Sequence, residues 1–240
     1  MSTKNNHVCG LGLVFTLLLV VVAAQTQEPY NELSNHWYTK CHTQTKTDAA
    51  FDKLYGDAVE FKRYLKYAFT FIPEQTKNFC NSERGNLEKR IKELSTDMRP
   101  CLAPNEKYME NFVYTSFTEF LHFLCHNNAE SINIFFHPNA QECRNKLVTG
   151  TNSNFGNCFS KLLRPTATGQ PNKKELCGDL TIVKQCFAET LTQQCPSYGA
   201  YKKLNEDFFK YVSKPCAGCA FYLNSILLVI SLLASYLFSH

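Results

Sequence analysis

The chain has 240 residues, 25 Lys+Arg against 21 Asp+Glu for a formal net charge of +4, and 12 cysteines beside only 10 glycines and 9 prolines. That composition excludes collagen-like and low-complexity chains. No basic tract runs longer than two residues (Lys173-Lys174, Lys202-Lys203), so there is no electrostatic footprint for nucleic acid, which is excluded as a partner.

Residues 1–24 have the layout of a signal peptide. A short polar stretch with Lys4 precedes the apolar run Leu11 to Val22, and Val22-Ala23-Ala24 offers small residues for a signal peptidase, so cleavage is expected after Ala24. The run is shorter than the ~20 residues that a spanning helix needs. From Thr47 to Phe71, the residues Phe51, Leu54, Tyr55, Ala58, Phe61, Leu65, Ala68 and Phe69 recur at steps of three and four, which predicts an amphipathic helix. A second is predicted from Ser82 to Met98, with Leu87, Ile91 and Leu94 on one face and Pro100 beyond its end. The third, Asn105 to Cys125, carries the widest apolar stripe: Met109, Phe112, Val113, Phe117, Phe120, Leu121 and Leu124. Shorter helices are expected at Pro138 to Val148, Cys158 to Leu163, Asp179 to Gln194 and Leu204 to Val212, while residues 149–156 and 165–171 have loop composition. Few segments alternate with a period of two. The expected fold is all-α, a disulfide-stapled bundle of about six to seven helices forming a single extracellular domain over residues 25–217.

At the C-terminal end, the small residues Ala217-Gly218-Cys219-Ala220 lead into an apolar run from Ile226 to Phe238, and only Ser239 and His240 follow. This is the layout of a glycosylphosphatidylinositol attachment signal, so residues 218–240 are expected to be removed. The competing reading, a transmembrane helix, lacks a Lys or Arg on the far side to hold a cytoplasmic end. Cysteine parity helps to place the cut. With Cys9 leaving in the signal peptide, a cut between Cys216 and Cys219 leaves ten cysteines, Cys41, Cys80, Cys101, Cys125, Cys143, Cys158, Cys177, Cys186, Cys195 and Cys216, all able to pair. The attachment residue is therefore expected to be Ala217 or Gly218. An oxidising compartment favours disulfides over zinc for cysteines so widely spaced, and no metal is expected. Cys177, Cys186 and Cys195 stand nine apart, and nine helical residues rise about 13.5 Å, well beyond the ~7 Å allowed between disulfide Cα atoms. On a continuous helix Cys186 and Cys195 must each reach a different element. The full connectivity stays open.

The cysteines sit in a succession of short contexts: Pro100-Cys101-Leu102, Phe123-Leu124-Cys125, Gln141-Glu142-Cys143, Asn157-Cys158-Phe159, Leu176-Cys177, Lys184-Gln185-Cys186, Gln194-Cys195-Pro196 and a terminal Lys214-Pro215-Cys216. That succession resembles the insect 27 kDa haemolymph glycoprotein family from about Cys101 to Cys216, and more loosely from Cys41 to Cys80. The resemblance implies a secreted, cysteine-rich, mostly helical protein of the body fluid with no established catalytic residues, so no active site is carried over. This chain departs from it in having no Asn-x-Ser/Thr sequon in the exported part and in its apolar tail.

Motifs for chemistry are sparse. His122 and His126 lie four apart beside Cys125, a spacing seen in metal sites, but the Glu that a helical protease motif places beside the first His is missing; a disulfide-bonded Cys125 with both histidines at the polar edge of an apolar stripe is the favoured reading. Cys216 and Cys219 form a CxxC that straddles the expected cut. There is no nucleophile elbow, phosphate loop or dinucleotide fingerprint, so neither enzymatic activity nor a cofactor is expected. The feature left over is aromatic. Phe112, Phe117, Phe120, Phe123, Phe135 and Phe136 crowd one region, and Tyr114 and Phe123 fall off the main stripe of the third helix. Rings of this kind usually fill a core. Their excess here points to the lining of a site for a lipid or other hydrophobic ligand on a protein anchored to the outer face of the plasma membrane, or secreted soluble if the anchor is absent. The alternative is a recognition module for a protein partner, in which the surplus rings point outward.

Overall fold

The computed structural model describes residues 27–149, Cys158 and residues 172–217, and among these there is no strand. The three- and four-residue spacing of the first predicted helix becomes α2, Ala49–Phe69, which buries Leu54, Phe61, Leu65 and Ala68 on one side. Ahead of it runs α1, Gln27–Thr45, which sequence periodicity did not signal: of its side chains from residue 34 onward only Trp37 and Cys41, one turn apart, are buried. Tertiary ties hold α1 in place of an apolar stripe. Cys41 is bonded to Cys101, and Lys40 pairs with the buried Glu106, whose second oxygen accepts the Ala103 N–H at 2.8 Å. After α2, a single turn (Thr76–Asn78) and a π-helical turn (Phe79–Glu83) lead into α3, Arg84–Met98, which buries Leu87, Ile91, Leu94, Ser95 and Met98.

The third predicted helix is the spine of the molecule. As α4, Tyr108–Phe136, it outruns the expected end at Cys125 by crossing a break: His126 leaves helical geometry (ψ 149°), and Asn127, Asn128 and Ala129 follow with φ of 48°, 55° and 60°. Asn tolerates this left-handed region because its short amide bonds locally, whereas Ala has no such relief, and the conformation costs about 1–2 kcal/mol there. The Ser131 hydroxyl donates to the Phe123 carbonyl at 2.9 Å and the Leu124 carbonyl at 3.4 Å, satisfying groups orphaned where the first segment stops. The second segment lacked enough residues for a periodic signal of its own.

Beyond it, a 3-10 turn at Pro138–Ala140 precedes α5, Gln141–Thr149, close to the expected 138–148 helix. Of the helix expected at 158–163 only Cys158 is described, and the loops expected at 149–156 and 165–171 lie outside the described residues except for Thr149, which ends α5. Next, α6, Lys173–Gln194, starts six residues before the expected Asp179. A capping box is the reason: Asn172 Oδ1 accepts the Glu175 N–H at 3.0 Å while Glu175 Oε2 accepts the Asn172 N–H at 2.8 Å. The last helix, α7, is Ala200–Val212, with Tyr201, Asn205, Phe208, Phe209 and Val212 buried. Helix α4 packs on both α3 and α7. A single apolar core therefore runs through the described residues, consistent with a disulfide-stapled helical bundle.

Five disulfides join Cys41 to Cys101, Cys80 to Cys125, Cys143 to Cys195, Cys158 to Cys186, and Cys177 to Cys216. As the nine-residue spacing required, Cys186 and Cys195 do not pair with each other, and α6 is tied to three other places in the chain. None of the five crosses from residues 41–125 to residues 143–216. The signal peptide expected at 1–24 and the attachment signal expected at 218–240 lie outside the described residues.

Candidate ligand-binding site

The aromatic positions singled out on the third helix fall into three groups. Phe117 and Phe120, each 1% exposed, lie in the line from α2 to α7: Phe117 meets Phe61 at 5.3 Å between ring centroids, and Phe120 meets Phe208 at 6.0 Å. Phe123, off the main stripe, also turns inward, to within 5.8 Å of both Phe208 and Tyr211. Phe112 is buried away from this line, edge-on to Tyr108. Phe135 and Phe136 sit beyond the break, where Phe135 stacks on Tyr201 at 5.8 Å and the Tyr201 hydroxyl donates to the Phe135 carbonyl at 2.9 Å. Tyr114 is half-buried against the core. The six positions thus do not form one wall. Two of them, Phe120 and Phe123, build one face of a seam between α4 and α7, and the opposite face comes from Phe208 and Tyr211, which sequence reasoning passed over although Tyr201, Asn205, Phe208 and Val212 recur at helical spacing.

Ring-on-ring packing gives the seam its cohesion. Each buried Phe contributes about 1.5–3 kcal/mol of burial, and each favourable edge-to-face pair about 0.5–1.5 kcal/mol beyond that. Two polar atoms on the flanking helices break the apolar pattern: Ser116 Oγ on α4 and Asn205 Nδ2 on α7 are buried with no hydrogen-bond partner among the described residues.

The edge of the seam is polar. His122 and His126 both lie against the Tyr211 ring, at 5.4 and 6.1 Å. Glu119 pairs with Lys214 and lies 3.7 Å from His122 Nδ1, and the Lys214 ammonium sits 4.8 Å over the Tyr211 ring. Cys125 beside the histidines is bonded to Cys80, and among the described residues no three His, Cys, Asp or Glu side chains come together to hold a metal ion. Cys216 is bonded to Cys177, which leaves it unavailable to Cys219.

Perturbed titratable groups lie elsewhere and serve the scaffold. Burial pushes the Tyr108 phenol up to about 12, with the Glu106 and Glu175 carboxylates adding to the shift. Burial, followed by the Lys40 ammonium, holds His36 below its ordinary range against an opposing pull from Glu106. Burial and its bond to Glu83 raise Tyr64, whose ring also carries Arg90 at 4.2 Å. Between α2 and α3, Lys53 bridges Asp57 and Asp97; burial raises Asp97, and hydrogen bonds from Asp97 and Lys53 lower Asp57.

No curated protein and no solved structure matches the chain. A family profile described as "Protein of unknown function (DUF1397)" matches residues 27–217, which takes in every described helix and all five disulfides. Five disulfides mark the chain as a secretory or extracellular protein, and among the described residues no helix is long and apolar enough to cross a membrane. The chain belongs to the DUF1397 family, a group of proteins of unknown function.

Proposed function

We propose that the protein is an extracellular binder of a lipid or other hydrophobic ligand, of the haemolymph glycoprotein type, held at the outer face of the plasma membrane by a lipid attached at Ala217 or Gly218. One observation carries the reading: the surplus rings of the third helix turn inward. Phe123 is 6% exposed, and none of the exposed large apolar side chains among the described residues (Tyr38, Tyr55, Val59, Tyr67 and Ile182) belongs to that helix. Burial rather than bond-making is then the mechanism, with each Å² of ligand removed from water worth about 25 cal/mol. Native mass spectrometry of protein released from expressing cells tests it. Extra mass that is lost on denaturation and extracts into organic solvent supports the reading, and a bare polypeptide with ten oxidised cysteines contradicts it. For the anchor, a phosphatidylinositol-specific phospholipase should release the protein from the cell surface.

A second reading, recognition of a protein partner, draws on one patch. Tyr38 on α1 meets Phe51 edge-on at 5.3 Å, Phe51 stacks on Tyr55 at 5.7 Å, and Val59 follows one turn along α2, with Tyr38, Tyr55 and Val59 exposed. Tyr55→Ser with Val59→Ser should then abolish cell-surface binding of the partner while leaving any ligand adduct in place.

A further inference from the structure

The disulfides divide the molecule in a way that the helix packing conceals. Cys41–Cys101 and Cys80–Cys125 close residues 41–125; Cys143–Cys195, Cys158–Cys186 and Cys177–Cys216 close residues 143–216. Among the described residues, only the backbone from His126 to Glu142 joins the two halves covalently, and the left-handed Asn127, Asn128 and Ala129 lie near its start. The second segment of α4 goes with the C-terminal half, since the Tyr198 and Tyr201 hydroxyls donate to the Ile134 and Phe135 carbonyls. Between the halves lies the α4/α7 seam of rings, which no disulfide spans and which the Glu119–Lys214 ion pair closes at its edge.

We infer that this seam is the binding site, that it takes an amphiphile with an acyl chain and an acceptor oxygen, and that it opens by the two stapled halves turning about residues 126–129. The inference rests on the hydrophobic-ligand reading above and gives it a place. An acyl chain entering between Phe120, Phe123, Phe208 and Tyr211 exchanges one apolar contact for another. Because α4 is already broken at His126–Ala129, the halves can turn there without unwinding a continuous helix. Asn205 supplies the polar half of the argument. It stands on the same α7 stripe as Tyr201 and Phe208, one turn from each, and its buried Nδ2 lacks an acceptor. A buried donor without a partner is disfavoured, and a carboxylate, ester or hydroxyl oxygen on the ligand supplies what it lacks.

The test uses the full exported chain and cis-parinaric acid, a fatty acid that fluoresces on entering an apolar site. The native protein should bind it, and Asn205→Leu, which removes the donor while keeping the branched shape of the side chain, should bind at least tenfold more weakly while unfolding at the same or a higher temperature. Joining Glu119 to Lys214 with a carbodiimide, which forms an amide with loss of water, should slow uptake at least tenfold, whereas the same reagent on Glu119→Gln should change its rate less than twofold. Undiminished affinity in Asn205→Leu, or undiminished uptake in the joined protein, overturns the seam as the site and leaves the hydrophobic-ligand reading standing. An equal loss in treated Glu119→Gln overturns the opening. No fluorescence gain with the native protein overturns the inference and the reading together.

Discussion

The two halves of the molecule are stabilised by different means. Residues 27–125 hold three long helices and the longer segment of α4, with Phe61, Leu65, Phe79, Leu87, Ile91, Phe117 and Phe120 forming a dense core, and they carry two disulfides. Among the described residues, 141–217 have fewer large buried side chains, chiefly Leu176, Leu180, Val183, Phe187, Tyr201, Phe208 and Phe209, and they carry three disulfides. A small unit buries too small a fraction of its surface to be stable on packing alone, and cross-links make up the difference. The C-terminal half also borrows core from its neighbour: Phe208 is covered by Phe120 and Phe123, which belong to the other half.

The sharpest way to break this comparison is to remove the shared core. Phe120→Ala should cost about 3–5 kcal/mol, the range for a fully buried ring, and because the ring serves both halves, denaturant melts followed through either half should shift together. Disulfide removal separates packing from chain entropy. Cys177–Cys216 and Cys80–Cys125 close similar spans, 39 and 45 residues, so loop entropy alone assigns each about 4 kcal/mol. If the C-terminal half depends more on its cross-links, Cys177→Ser/Cys216→Ser should lose the larger amount and broaden the unfolding transition. Equal losses measured by denaturant titration would favour entropy alone.

Smaller changes probe local devices. Asn172→Ala removes the acceptor of the α6 capping box and should cost about 1 kcal/mol, read as a lower melting temperature. At the break in α4, Ala129→Gly should be tolerated to within about 1 kcal/mol, because glycine adopts positive φ without penalty. The same change at Ala68, fully buried within α2, should cost at least about 1 kcal/mol. The smallest effect expected is a dependence on pH. His36 has a folded pKa below its ordinary 6.5, so below that pH the unfolded chain takes up the proton first, and stability falls as pH drops through 6.5 toward the folded value. His36→Gln should flatten that part of a melting-temperature profile between pH 7.5 and 5.5.

Much of the fold was legible in the sequence, and what was missed has physical causes. Helices with apolar stripes (α2, α3, the longer segment of α4) were placed to within three residues at each end because periodicity reports burial directly. Helix α1 escaped because a disulfide and the Lys40–Glu106 pair hold it, not a stripe. The early start of α6 was written in Asn172 and Glu175, a capping box that apolar spacing does not reveal. The break at 126–129 ends the helix near where the stripe fades, yet nothing local announces that the chain resumes helix at Glu130, since that segment is held by Tyr198 and Tyr201 from far along the chain. For the candidate site, the sequence pointed to Phe120 and Phe123 but also gathered in Phe112, Phe117, Phe135 and Phe136, whose rings meet other partners. Proximity along a helix does not say which partner a ring will meet.

The claim on which the comparison of halves and the placement of the site both depend is that no disulfide crosses residues 126–142. Inserting a protease recognition sequence after the exposed Asn139, cutting the folded oxidised protein there and running it on a denaturing gel without reductant tests this directly. Two separate fragments, one ending near Asn139 and one running on to the C-terminal end, are the predicted result. A single band at the mass of the intact chain, resolving into two only after reduction, would contradict it.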